Sequence, residues 1–99
     1  MSRYEFSAKA KLDLVRIIDR IAIDDADAAK RLKKDFLETI ERAARMPGIG
    51  HFRSDVRNPD YKFLSVFPFV IAYRPASKPL KIVRILHGAQ NIEKIFRKR

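Results

Sequence analysis

Phe69-Val70-Ile71-Ala72-Tyr73 is the stretch that decides the fold of this chain, because every one of its five positions is apolar. A strand without a polar position is buried on both faces, so it belongs in the interior of a sheet and not at its edge. Similar strand patterns flank it at 62–67 and 80–86, and prolines in both connections separate the three, since proline cannot donate to a strand ladder. The sequence therefore predicts a three-stranded antiparallel meander.

The first half of the chain carries two amphipathic helix patterns, at 8–23 and at about 26–45. Ser7 precedes the first pattern and is a good N-cap, because its hydroxyl can accept from a free amide of the first turn. The run Asp24-Asp25-Ala26-Asp27 lies between the two, where carboxylates suit the positive end of the second helix. Two such helices joined by a short turn form an antiparallel hairpin that packs its apolar seam on the sheet.

Two short segments complete the predicted architecture, a strand at 3–6 and an apolar and basic tail at 92–99. We expect the first strand to pair in parallel with a later one, because a helical crossover separates them. The predicted fold is a single α+β domain over residues 1–99. It has an N-terminal strand, a helical hairpin on a four-stranded, mostly antiparallel sheet, and a short C-terminal helix. The connector at 48–53 has two glycines but no phosphate-loop motif, so we interpret it as a flexible turn.

Composition excludes several classes of protein. A hydrophobic content of 46% excludes a disordered chain, and no apolar run approaches the roughly 18 residues that a membrane helix needs. The N-terminus has no signal-peptide pattern and the chain has no cysteine, so we expect a cytoplasmic protein that makes no use of a membrane. With two histidines far apart in sequence and no thiol, we expect neither a metal site nor a cofactor.

Positive charge is concentrated in the second half of the chain. The formal net charge is +10, and residues 1–50 hold 11 Lys and Arg against 9 Asp and Glu, whereas residues 51–99 hold 11 against 3. An excess of this size predicts an anionic partner, either an acidic peptide or nucleic acid. The alternative is that the charge serves solubility alone.

Several local patterns are shared with one group of bacterial proteins: Pro47-x-x-Gly50, Tyr73 closing an apolar strand, Ile82-Val83-Arg84-Ile85-Leu86-His87-Gly88-Ala89, Ala10-x-x-Asp13-Leu14 and Ala28-Ala29. Their combination resembles the ParE branch of the RelE/ParE superfamily of toxins, over about residues 3–97. The resemblance implies the toxin of a type II toxin–antitoxin pair, a kind of protein also known as a plasmid stabilisation protein.

Members of the superfamily that are RelE-like cut messenger RNA on the ribosome, which requires cations at the phosphate and groups that move protons. The corresponding positions in this chain are Lys62, Leu64, Val70, Gln90 and Phe96. Lys62 alone keeps a suitable group, because Gln90 cannot carry a proton at neutral pH and Phe96 has no hydroxyl. RNA cleavage is therefore disfavoured, and it remains the first alternative.

Members that are ParE-like instead resemble inhibitors of DNA gyrase, which act by binding and not as enzymes. The resemblance thus implies a gyrase inhibitor that an acidic segment of a ParD-like antitoxin neutralises, with nucleic acid as a possible or indirect partner only. The family often has Arg-Asp after His87-Gly88-Ala89, where this chain has Gln90-Asn91, so the role of that turn stays open. A basic binding module without toxicity is the second alternative.

Ten residues of the basic half are predicted to contact the antitoxin or the target: Arg53, Arg57, Lys62, Arg74, Arg84, His87, Gln90, Lys94, Arg97 and Lys98. Strict alternation places Arg84 on the apolar face of its strand with Ile82 and Leu86, so its charge must be paired with a carboxylate or turned to a partner. His87 would share a face with Val83 and Ile85, and we expect it to be a hydrogen-bonded structural residue.

Overall fold

The computed structural model describes residues 3–97. The elements in chain order are β1 (Tyr4–Phe6), α1 (Ala8–Asp24), α2 (Ala26–Arg45), a 3₁₀ turn (Pro47–Ile49), β2 (Lys62–Val66), β3 (Phe69–Arg74), β4 (Leu80–His87) and α3 (Ile92–Ile95). The four strands form one sheet in the order β1-β4-β3-β2, in which β1 runs parallel to β4 and the other pairs are antiparallel. The predicted α+β fold is confirmed, including the interior position of β3.

The helical hairpin begins and turns at the predicted caps. Ser7 Oγ accepts from Ala10 N–H at 3.0 Å, and the Asp25 carboxylate accepts from Ala28 N–H at 3.0 Å. Each cap satisfies an amide that the first helical turn leaves free. Ser7 also donates its hydroxyl to Val83 O at 2.7 Å, so the start of α1 is fixed to β4.

One face of the sheet, which we term the helix face, is covered by α1 and α2. Its buried residues come from both helices and from strands β3 and β4: Ala10, Phe36, Ile40, Ala43, Ile71, Tyr73, Leu80, Ile82 and Ile85. The opposite face, which we term the loop face, is covered by the segment 52–61 and by α3. Its buried residues are Val56, Tyr61, Phe63, Ala72, Leu86 and Ile92, with Ile95 and Phe96 partly buried beside them. Residues 92–96 of the tail therefore dock on the sheet.

A bulge in β4 changes which side chains share a face. Ala72 is opposite Arg84 but Tyr73 is opposite Ile82, so β4 holds one residue more than β3 at this point. The helix face consequently receives Ile82 and Ile85, which strict alternation would have put on opposite sides. For this reason Arg84 does not share a face with Ile82 as expected, although it does share the loop face with Leu86. The grouping of His87 with both Val83 and Ile85 is wrong for the same reason.

The connector at 48–53 is held by specific contacts, contrary to the expectation of a flexible turn. The Tyr73 hydroxyl donates to Pro47 O at 2.7 Å and accepts from Gly50 N–H at 2.9 Å. A Cβ atom on Gly50 would lie 2.4 Å from that hydroxyl, so glycine is needed there for close approach. His51 then forms a two-way backbone bridge with Phe63, at 2.8 Å in each direction.

Candidate partner-binding surfaces

The structure divides the predicted contact residues among three places. Arg84, His87 and Gln90 lie beside the second half of β4; Arg53, Arg57, Lys94 and Arg97 lie around the loop face; and Lys62 and Arg74 lie where β2 begins and β3 ends. Lys98 lies outside the described residues. The ten therefore do not form one site, although they were predicted from a single excess of charge.

The first surface is a groove between α1 and the second half of β4, with a volume of about 990 Å³. Asp13 on α1 organises it, because its carboxylate accepts Arg84 Nε–H at 2.7 Å, Arg84 Nη2–H at 3.0 Å and the Ile85 amide at 3.0 Å. These hydrogen bonds raise the pKa of the Arg84 guanidinium, which favours its charged form. Of the two roles predicted for Arg84, carboxylate pairing is the one observed.

The edge of β4 along this groove has no neighbouring strand, because β1 pairs only with Leu80–Ile82. Side chains cap it instead. Besides the Asp13 cap, Gln90 Oε1 accepts from His87 N–H at 2.8 Å. Capping of this kind protects an exposed strand edge from pairing with another chain. His87 is exposed and accepts Ala89 N–H on Nδ1 at 3.0 Å, in accord with the expected hydrogen-bonded role.

Two of the arginines on the second surface, the loop face, are already occupied by carboxylates. Arg53 forms two 2.9 Å hydrogen bonds to Asp55, and Arg97 forms a fork with Glu93 at 2.9–3.1 Å. The Arg53 guanidinium holds the pKa of the Asp55 carboxyl below its usual range, chiefly through this hydrogen bond. Within residues 3–97, Arg57 forms no ion pair, and neither does Lys94.

The third surface, which we term the basic end, joins the end of α2, the 3₁₀ turn and the β3–β4 connection. Its cations are Arg3, Arg42, Lys62, Arg74 and Lys78. All are exposed except Lys62, which is partly buried. Lys62 Nζ donates to Gly48 O at 3.2 Å and lies 4.9 Å from the centre of the Phe52 ring. Arg74 lies over the ring of Tyr61 at 5.6 Å.

Three features of these surfaces escaped sequence reasoning. The motif that contains Asp13 does not by itself show that Asp13 pairs with Arg84. A charge on a buried strand could have suggested a carboxylate on the covering helix. Leu12, Val15 and Ile23 form an exposed apolar stripe on α1, and Phe67 is 92% exposed at the β2–β3 turn. Apolar residues at these positions are compatible with the predicted helix and turn, so only the structure shows that their side chains are exposed.

Two further observations concern the described part of the chain. No helix there is long and apolar enough to cross a membrane. Among residues 3–97, no group of three or more His, Asp or Glu side chains is arranged to hold a metal ion.

Comparison with known proteins now identifies the family. The model of the "ParE toxin of type II toxin-antitoxin system, parDE" matches residues 4–92. The chain belongs to the ParE toxin family. A solved structure of the chromosomal ParDE TA system from P. aeruginosa shares the fold, with a TM-score of 0.68 and 23% sequence identity over 87% of this chain and 98% of that one. No curated protein matches the chain significantly.

Family membership confirms the resemblance based on the short patterns, and the structure shows what several of those patterns do. Pro47 and Gly50 are the two backbone partners of the Tyr73 hydroxyl, so the first two patterns describe one contact. The Asp13 pattern and the run at 82–89 meet in the Asp13–Arg84 pair. In this ParE chain these motifs thus form tertiary contacts.

Proposed function

We propose that this ParE toxin acts in the cytoplasm by binding and inhibiting DNA gyrase, and that an acidic ParD-like antitoxin neutralises it. The positions of Lys62 and Gln90 favour inhibition by binding over RNA cleavage. Lys62 begins β2 at one end of the sheet, whereas Gln90 caps His87 at the other. The RelE-like positions therefore do not converge on one phosphate, and a RelE-type mechanism needs that convergence.

Expression of the toxin without antitoxin tests this proposal. Gyrase inhibition predicts filamentous cells and a DNA-damage response while protein synthesis continues at first, and purified toxin should inhibit supercoiling by gyrase. Rapid arrest of translation with cuts in ribosome-bound messages would favour the RNase alternative. Normal growth with a folded, soluble toxin would favour a basic binding module without toxicity.

The ParDE system of P. aeruginosa supports a ParD-like protein as the partner of this chain. We place the antitoxin across the α1 stripe of Leu12, Val15 and Ile23, with its acidic residues toward the cations of the loop face. An apolar stripe contributes affinity through burial, and charge complementarity adds association rate and salt dependence. Arg57 and Lys94 are the cations best suited to this role, because Arg84 is already paired with Asp13.

Two double variants locate the antitoxin. Leu12→Asp/Val15→Asp should lower antitoxin affinity at every salt concentration, whereas Arg57→Glu/Lys94→Glu should lower it most at low salt. Lys30→Glu/Lys33→Glu, on the outer face of α2, makes the same change of charge elsewhere and serves as the control. A complex that tolerates both test variants, each shown to be folded by its thermal melt, would refute this placement.

A further inference from the structure

The folded molecule has an acidic end and a basic end. Counting charged residues along the sequence does not show this separation. The turn between α1 and α2 carries Asp24, Asp25 and Asp27 at one end. The basic end lies at the other, because α2 runs back along the sheet to the 3₁₀ turn, where it meets the β3–β4 connection. A polyanion that approaches such a molecule is attracted to one end and repelled from the other.

The cations of the basic end are available to a ligand. Within residues 3–97, none of Arg3, Arg42, Lys62, Arg74 and Lys78 forms an ion pair. Two of the nearby carboxylates are occupied, since Glu5 pairs with Lys81 at 2.9 Å and Glu41 with Arg45 at 3.6 Å. Asp60, two residues before Lys62 in the chain, forms no ion pair within residues 3–97.

The same end displays an aromatic ring that the core does not use. Phe52 is 61% exposed, and the Lys62 ammonium lies 4.9 Å from its ring centre. A stacking surface flanked by cations is what proteins use to hold single-stranded nucleic acid, with bases on the ring and phosphates on the cations. A chain of acidic residues alone, such as poly-glutamate, has no aromatic group to stack on the exposed ring, so the ring distinguishes it from single-stranded nucleic acid.

We propose that the basic end is a binding site for single-stranded nucleic acid, in which Phe52 stacks on a base and Arg3, Lys62 and Lys78 contact phosphates along the strand. The site is separate from the α1 stripe and adjoins the loop face at Phe52, and it does not depend on the identity of the toxin's target. Both DNA and RNA offer the recognised chemistry, a phosphodiester backbone with unstacked bases.

Binding of labelled 15-nucleotide oligo(dT) and oligo(U) to the full chain, measured by fluorescence anisotropy between 50 and 200 mM salt, tests the proposal. Arg3→Gln/Lys62→Gln/Lys78→Gln should weaken binding and reduce the slope of log affinity against log salt by about 2, since each phosphate contact in a single strand contributes about 0.7. Lys11→Gln/Lys30→Gln/Lys33→Gln removes the same charge from the two helices and should change the slope by less than half as much. Equal losses in the two variants would show a general charge effect and overturn the site.

A matched pair of phenylalanine variants tests the contribution of the Phe52 ring to binding. Phe52→Ala should lower the affinity for oligo(dT) or oligo(U) about fivefold or more, whereas Phe67→Ala, which removes an exposed ring at the opposite end of the sheet, should leave it unchanged. The ratio of the two oligonucleotide affinities assigns the ligand to DNA or RNA. The proposal fails if the wild-type chain binds neither oligonucleotide, if a poly-glutamate peptide of equal charge binds as tightly, or if the two phenylalanine variants behave alike.

Discussion

The helix face and the loop face are stabilised by different means, although they are the two sides of one sheet. Two helices cover the helix face with residues as deeply buried as Phe36, Ile40 and Tyr73. A loop and one turn of helix cover the loop face, where cations lie over aromatic rings and arginine–carboxylate pairs rim the cluster. The first face therefore supplies most of the stability, and the second leaves charged side chains where a partner can reach them.

The sharpest test of this contrast compares two phenylalanines. Phe36→Ala should lower the free energy of unfolding by about 3–5 kcal/mol, because it empties a fully buried site between the hairpin and the sheet. Phe96→Ala should cost about 1–2 kcal/mol, since its ring contacts Tyr61 and Phe63 from a half-buried position. Urea denaturation measures both values. A Phe96 variant that is destabilised as much as the Phe36 variant would make the loop face an equal part of the core.

A second test concerns the contact that fixes the connector to the helix face. Gly50→Ala should destabilise the fold by about 1–3 kcal/mol, because the new methyl group would displace the buried Tyr73 hydroxyl. Gly48→Ala is the control, since a Cβ atom there meets nothing within 4 Å. Similar melting temperatures for the two variants would show that the Tyr73 contact contributes little.

Two of the arginine–carboxylate pairs, Arg84–Asp13 and Arg53–Asp55, allow a third test because they differ in burial. Asp13→Ala should cost on the order of 2 kcal/mol, because it leaves the Arg84 charge and the Ile85 amide without their partner in a largely buried position. Asp55→Ala removes the exposed partner of Arg53 and should change stability by less than about 0.5 kcal/mol. Equal effects on the urea midpoint would contradict the difference in burial.

The smallest expected effect is a loss of stability at alkaline pH. Burial raises the pKa of the Tyr73 phenol above its ordinary value of 10.0. In the pH range between the two values the folded chain keeps a proton that the unfolded chain has lost, so stability is unaffected below about pH 10 and falls as the pH rises above it. Tyr73→Phe should remove this part of the alkaline decline. Melting temperatures of the two proteins between pH 8 and 11 measure it, and parallel curves would assign the decline to other groups.

The cations of the second half show what a count of charges along the sequence can and cannot predict. Counting charges correctly indicated a basic second half, but Arg53, Arg84 and Arg97 proved to be paired with Asp55, Asp13 and Glu93. The Arg97 pair is an i,i+4 pair that spacing alone could have suggested. The Arg84 pair spans 71 residues, and no local pattern reveals such a distance.

The sequence by itself determined the elements and their order, because periodicity, Ser7, Asp25 and the prolines act within a few residues of one another. It also determined the family, through motifs whose residues are fixed by contacts. Only the tertiary structure decided the bulge in β4, the contact of Tyr73 with Gly50, and the separation of acidic and basic ends. Each of these depends on where distant segments meet, and the free energy of such contacts comes from packing and hydrogen bonding that local propensity does not contain.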